Sequence, residues 1–276
     1  PVRPWLTSPR STSSSPSERS GGRAAAVMHS FLGATQFLTR VPVRLSRPAD
    51  TADCVPWFPT VGAIVGGVAG LVYVALSELV APGPSAAIAV LLGVGLTGAF
   101  HEDGLADSAD AMGGWTVEQR RTILKDSRHG TYGVAALCGS IVARMLTLAT
   151  LGPAAGVAGL VAAHSIGRSA AVGAMAGSGP AASPEGLGAE YTRGLGRGAA
   201  LVGVATGVGW AALATGWWVG PIVGVVIVVT IPLAVWLRRA FGGVVGDGLG
   251  AIEQIAEIAA LLTVGALAAR HPLWWN

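Results

Sequence analysis

Apolar residues recur along most of this chain in runs near the length of a bilayer crossing, and polar residues gather in the short stretches between them. A helix needs about 20 mostly apolar residues to cross roughly 30 Å of hydrocarbon. Seven segments meet that pattern, near 60 to 80, 84 to 100, 131 to 151, 154 to 177, 198 to 217, 221 to 237 and 250 to 269. The first, fourth and fifth are rich in Gly and Ala, which lets helix backbones approach closely where they pack within lipid. The pattern predicts an all-α, polytopic membrane bundle of about seven transmembrane helices. It is weakest at the two ends, where six or eight crossings also fit.

Polar residues divide the connections into two kinds. The segment 101 to 130 carries Arg120, Arg121, Lys125 and Arg128, and two later connections carry Arg193 with Arg197 and Arg238 with Arg239. The intervening turns, Ala81-Pro82-Gly83-Pro84, Leu151-Gly152-Pro153 and Val219-Gly220-Pro221, contain no cation, and Trp217 and Trp218 suit an interfacial anchor. The positive-inside rule then places the cationic loops and the N-terminus in the cytoplasm of a cell (inner or plasma) membrane. Seven crossings put Trp274 and Trp275 on the other side.

Composition agrees with lipid as the solvent: 51% of residues are hydrophobic and 12% charged, against about one-quarter charged in soluble domains. Lys125 is the only lysine, so the formal charge of +3 is carried by arginine and fits membrane orientation better than nucleic-acid binding. Cys54 and Cys138 show neither a disulfide framework nor zinc-ligand spacing. Residues 1–27 begin without Met, are rich in Ser, Pro and Arg over their first 22 positions, and read as a disordered tail upstream of a plausible start at Met28. Residues 28–276 then form one membrane-embedded domain.

Chemistry concentrates in three places. His101 to Asp110 holds four carboxylates, and Asp103, Asp107 and Asp110 recur at i, i+4 and i+7, which sets them on one face of a helix extending the second span. Like charges on one face repel unless a cation lies against them, and Mg²⁺ takes carboxylate oxygens together with substrate phosphates. A solvated acidic helix end is the alternative. Next, Lys125-Asp126-Ser127-Arg128 precedes Gly130 and Gly133, offering cations and free amides to phosphate oxygens. Third, Gly242 to Gly250 contains Asp247 and leads into a span bearing Glu253 and Glu257. In-span carboxylates are costly and face a cavity or a cation, here Arg144, or Arg168 with His164. A structural pairing of Glu257 with Arg144 or Arg168 stands against a substrate or metal role, and His101 suits either a general base or a helix cap.

These residues carry a resemblance. Phe37-Leu38-Thr39-Arg40-Val41-Pro42, Trp57-Phe58-Pro59, His101 to Asp110, Lys125 to Gly133 and Gly242 to Glu257 occur in the order and spacing of the cobalamin synthase family, the adenosylcobinamide-GDP ribazoletransferases. The blocks cover nearly everything after Met28. The chain departs from the family pattern at Glu102, commonly apolar, at His129, often aliphatic, and at Val245, often Thr.

The resemblance implies a Mg²⁺-dependent transferase in which a ribose hydroxyl of α-ribazole, or its 5'-phosphate, attacks the cobinamide-side phosphorus of adenosylcobinamide-GDP and expels GMP. With it, Asp103, Asp107 and Asp110 are expected to bind metal, and Asp126 to complete the shell. Lys125, Ser127, Arg128 and Arg168 are expected to contact phosphate. His101 or a carboxylate takes the proton, and Asp247, Glu253 and Glu257 form a second acidic cluster. Expected partners are the two substrates and membrane lipid, with no nucleic acid, and a homo-oligomer or a complex with other cobalamin-assembly enzymes stays open. A lipid phosphotransferase of the CDP-alcohol type, whose Asp-x-x-Asp-Gly-x-x-Ala-Arg pattern is absent, and a transporter with charges in its spans are the competing classes.

Overall fold

The computed structural model describes residues 16–177 and 187–275. Among these residues the regular structure is helical, with no strand. In chain order the α-helices are α1 (Pro16–Leu38), α2 (Thr51–Cys54), α3 (Phe58–Ser77), α4 (Pro82–Thr97), α5 (Phe100–Asp110) and α6 (Val117–Leu124). They continue with α7 (Thr131–Ala149), α8 (Pro153–Gly177), α9 (Leu187–Thr192), α10 (Arg197–Thr215), α11 (Val219–Phe241) and α12 (Gly246–Ala268). Helix α1 begins inside the stretch expected to be a disordered tail, of which residues 1–15 lie outside the described residues.

Each of the seven expected segments lies on a helix: α3, α4, α7, α8, α10, α11 and α12. Local chemistry sets their ends. Pro82 and Pro153 open α4 and α8, where a missing N–H costs nothing, and left-handed Gly98 and Gly242 close α4 and α11. By length and apolarity alone, four helical segments can cross a membrane, or five if the bent pair α4–α5 is one span. One of the four, Arg197–Phe241, runs 45 residues through α10 and α11, roughly twice the length one crossing needs. It is interrupted at Gly216, whose φ is +61°. Helix α8 falls outside the four because Gly, His164 and Arg168 lower its hydropathy, yet it is the most enclosed element of the bundle.

The three Gly/Ala-rich segments pack on one another. Gly62, Gly66 and Gly70 of α3 lie against His164, Leu160 and Val157 of α8, and a Cβ at any of them would collide with that helix. Beside them, Gly207 of α10 meets Ser169 and the Ser165 carbonyl of α8 and Pro59 of α3. Around this slab, α12 packs on α8, α5, α11 and α7.

One expectation is corrected here. Helix α5 does not extend the second span but turns from α4 by 89°. The turn needs two consecutive left-handed residues, Gly98 (φ +66°) and Ala99 (φ +58°). Their amides close α4 by donating to the carbonyls of Gly95 (3.1 Å) and Val94 (2.8 Å). A non-glycine residue at positive φ costs about 1–2 kcal/mol. The chain keeps it because a straight α4 would carry the acidic helix away from α7 and α12, on which α5 packs. Arg40 braces the corner, its N–H bonded to the Leu96 carbonyl at 2.7 Å and its side chain lying over Gly98.

The α3–α8 contact gives a direct test. Gly66→Ala sets a methyl against the Leu160 carbonyl and should cost about 1–3 kcal/mol, read as a lower melting temperature in detergent. Gly67→Ala, whose Cβ meets only Val161 Cγ2 at 3.9 Å, should leave the melting temperature unchanged.

Candidate functional site

Helix α5 presents different chemistry on different faces. Successive residues on a helix are set about 100° apart, so Asp103 and Asp107 share one side while His101, two residues from Asp103, points nearly opposite. The Asp103 side chain is 61% exposed and that of Asp107 19%. His129, on the loop between α6 and α7, joins them: its Nε2 lies 3.8 Å from Asp103 Oδ1 and its Nδ1 3.6 Å from Asp107 Oδ1. One ligand atom from each of Asp103, Asp107 and His129 falls within 4.8 Å of the other two, the spacing of a metal-binding group.

Asp110 shares the acidic face but is placed differently from its expected role as a ligand. Its Oδ2 accepts the Gly130 N–H at 2.6 Å and its Oδ1 accepts the Gly133 N–H at 2.8 Å. It therefore caps the start of α7 and pins the preceding loop beside Asp103 and Asp107. No side chain other than hydrogen fits at Gly130 or Gly133 without striking this carboxylate.

The same loop carries the expected phosphate contacts. Lys125, Ser127 and Arg128 are exposed. Asp126 does not turn to Asp103 but takes two hydrogen bonds from the Arg128 guanidinium, at 3.0 and 2.6 Å. Those bonds hold the Asp126 carboxyl down to about 2, so the pair persists as pH falls until the carboxylate protonates near that value. Behind the loop, Arg121 Nε donates to the Phe241 carbonyl at 2.8 Å and Arg120 Nη1 to that of Ala240 at 3.4 Å. These two arginines thereby cap the C-terminus of α11 and tie α6 to it.

The expected second acidic cluster divides. Asp247, in the first turn of α12, stands beside α5: a Cβ at Gly104 would lie 2.9 Å from its carbonyl oxygen, and the charges of Asp107 and Asp103 act on its side chain. It belongs with the Asp103 face. Glu253 and Glu257, two and three turns further on, point inward with no more than 1% of their surface exposed.

There they enter a buried network. Arg144 of α7 donates to Glu102 of α5 at 3.0 Å and to Glu257 of α12 at 3.1 Å. Arg168 of α8 pairs with Glu257 and, at 2.5 Å, with Glu253, while His164 Nδ1 lies 2.5 Å from Glu257. His101 Nδ1 stands 3.5 Å from Arg168 Nη2 and 3.7 Å from Glu253. Gln254 donates to Glu253 at 3.0 Å and accepts from Ser140. Glu257 thus takes both of the pairings open to it from sequence. Arg168, expected at the phosphates, is 2% exposed and committed to carboxylates, and His101 faces this interior instead of the Asp103 side.

Three features escaped the sequence reading. His129 closes the Asp103–Asp107 pair, Asp110 caps α7, and Glu102 is neutralised by Arg144. The last had a signal. A carboxylate added where the family is apolar calls for a cation, and Arg144, on α7, was an in-span candidate.

The sequence profile of the family described as cobalamin-5-phosphate synthase matches residues 30–265. Three relatives, each an adenosylcobinamide-GDP ribazoletransferase, illustrate the similarity. The protein of Leptothrix cholodnii is 35% identical over 264 residues, covering 86% of this chain and 96% of its own. That of Ralstonia pickettii is 37% identical, covering 85% and 93%, and that of Bradyrhizobium diazoefficiens 38% identical, covering 84% and 92%. No solved structure matches the chain. Matched over residues 30–265 and 35–38% identical to these relatives over most of its length, this chain belongs to the cobalamin-5-phosphate synthase family.

Proposed function

We propose that this chain is a transferase of cobalamin biosynthesis that joins adenosylcobinamide-GDP to α-ribazole, or to its 5'-phosphate. The products are adenosylcobalamin, or its 5'-phosphate, and GMP. Family membership and the names of the relatives support the role. The observation that supports the site is the pairing of an exposed Asp103–Asp107–His129 cluster with a cationic loop that Asp110 holds beside it.

In the reaction a ribose hydroxyl oxygen forms a bond to the cobinamide-side phosphorus. The bond from that phosphorus to the bridging oxygen breaks, and GMP leaves with the electron pair. Two carboxylates and a histidine on one polar face fit a divalent cation that also takes phosphate oxygens. Asp103 and Asp107 would hold Mg²⁺, which when bound spreads the charge that gathers on the transferring oxygens. Lys125 and Arg128 orient the pyrophosphate from the loop. Asp110 fixes that loop as a positioning residue. His101 is turned away from this face, so a carboxylate on the Asp103 side takes the hydroxyl proton.

We place the protein in the cell inner membrane with this face toward the cytoplasm, because the loops bearing Arg120, Arg121, Lys125, Arg128, Arg193, Arg197, Arg238 and Arg239 share a side by the positive-inside rule. The in-span charges that would favour a transporter are ion-paired with one another. The test is GMP release from adenosylcobinamide-GDP by the purified chain in detergent, with α-ribazole present or absent and Mg²⁺ present or chelated. Release requiring both carries the proposal; release without α-ribazole, or none from folded protein, overturns it.

The two charged clusters should fail differently. Asp103→Asn or Asp107→Asn should lower kcat by about 100-fold or more with the melting temperature unchanged or raised, since one repelling charge is gone. Arg144→Ala leaves Glu102 and Glu257 short of a partner and should cost about 3–5 kcal/mol of stability, seen as a large fall in melting temperature. Lys125→Ala and Arg128→Ala should each raise KM for adenosylcobinamide-GDP about tenfold, the scale of a lost charge-assisted hydrogen bond, and leave KM for α-ribazole nearly unaltered.

A further inference from the structure

Helices α10 and α11 are consecutive, yet α10 packs chiefly on α8 and α3 while α11 packs chiefly on α12. They splay apart, and a cavity of about 430 Å³ opens between them with α8 as its back wall. Ala170 and Gly173 of α8, Val208 of α10, and Val223 and Ile227 of α11 line it. Two hydroxyls also reach it, but Ser169 donates to the Ser165 carbonyl at 2.9 Å and Thr230 to the Val226 carbonyl at 2.7 Å. Among the described residues the wall therefore offers no free side-chain donor along the span.

At one end the lining changes. Arg238, in the last turn of α11, borders the cavity, is exposed, and has no carboxylate partner among the described residues. From Val223 to Arg238 the groove follows α11 for roughly 22 Å at 1.5 Å per residue. That exceeds the roughly 15 Å depth of one leaflet's hydrocarbon. A long, apolar slot closed by a cation that has no carboxylate partner among the described residues complements a molecule with an extended hydrocarbon tail and an anionic head.

We propose that this groove is a binding site for an anionic glycerophospholipid, with one acyl chain between α10 and α11 and the phosphate on Arg238. A corrinoid or a ribazole would bring amides and hydroxyls to a wall that cannot satisfy them. The site is separate from the acidic face and does not depend on the reaction assigned to it.

The test is native mass spectrometry of the full chain in detergent, supplied with equal phosphatidylglycerol and phosphatidylcholine. The wild type should retain phosphatidylglycerol about fivefold over phosphatidylcholine, the scale of one arginine at an anionic headgroup. Arg238→Gln should bring that ratio to about one while still retaining lipid. Gly173→Phe should abolish retention of both, and the backbone admits it because a Cβ there meets nothing nearer than Val204 Cγ2 at 4.0 Å. Equal retention of the two lipids by the wild type, or unchanged retention by Gly173→Phe, overturns the proposal. So does displacement of the lipid by α-ribazole or adenosylcobinamide-GDP, which assigns the groove to substrate, or a dimer that forms through it and excludes lipid.

Discussion

Charge buried in an apolar bundle must find opposite charge, and that constraint organises this molecule. Glu102, Arg144, Arg168, Glu253 and Glu257 come from four helices and meet where each would otherwise be a liability of a few kcal/mol. Three carboxyl groups face two guanidiniums there, with His101 and His164 beside them. Meeting there fixes the rotation of α5, α7, α8 and α12 about their own axes more tightly than apolar contacts can, because apolar faces slide and ion pairs do not. The orientation of the exposed site is a by-product. Once Glu102 and His101 are turned inward, helical geometry turns Asp103 and Asp107 outward.

Small residues make the constraint attainable. The α3–α8 contact through Gly62, Gly66 and Gly70 brings His164 and Arg168 close enough to the bundle axis to be met by α12. Gly104 and Gly250 do the same between α5 and α12, where their backbones touch. Neither feature alone would hold the site. Close packing without the charges leaves rotation free, and the charges without close packing leave the partners apart.

The sequence showed these elements unequally. The seven apolar segments are legible because the hydrocarbon demands a run of definite length, and Asp103 with Asp107 because four residues make one turn. Glu257 was legible as a residue in need of a cation, with Arg144 and Arg168 both open to it as structural partners, and both bond it. What stayed hidden depends on distant chain. Asp110 reads as a third ligand until α7 arrives with Gly130 and Gly133, and Arg168 reads as a phosphate contact until α12 covers it. The turn at Gly98-Ala99 lies within an otherwise apolar stretch, and Ala99 carries no signature of its positive φ.

That turn has a consequence for the setting in which the protein works. Spans answer a thicker or thinner bilayer by tilting, and a site built along a span would be carried to a different depth from one end to the other. Helix α5 stands at 89° to α4, so tilting its neighbours moves it up or down as a beam without altering the separation of groups along its length. Asp103 and Asp107 then keep their spacing whatever the length of the surrounding acyl chains. A cell that remodels its fatty acids with temperature would not need to remodel this enzyme.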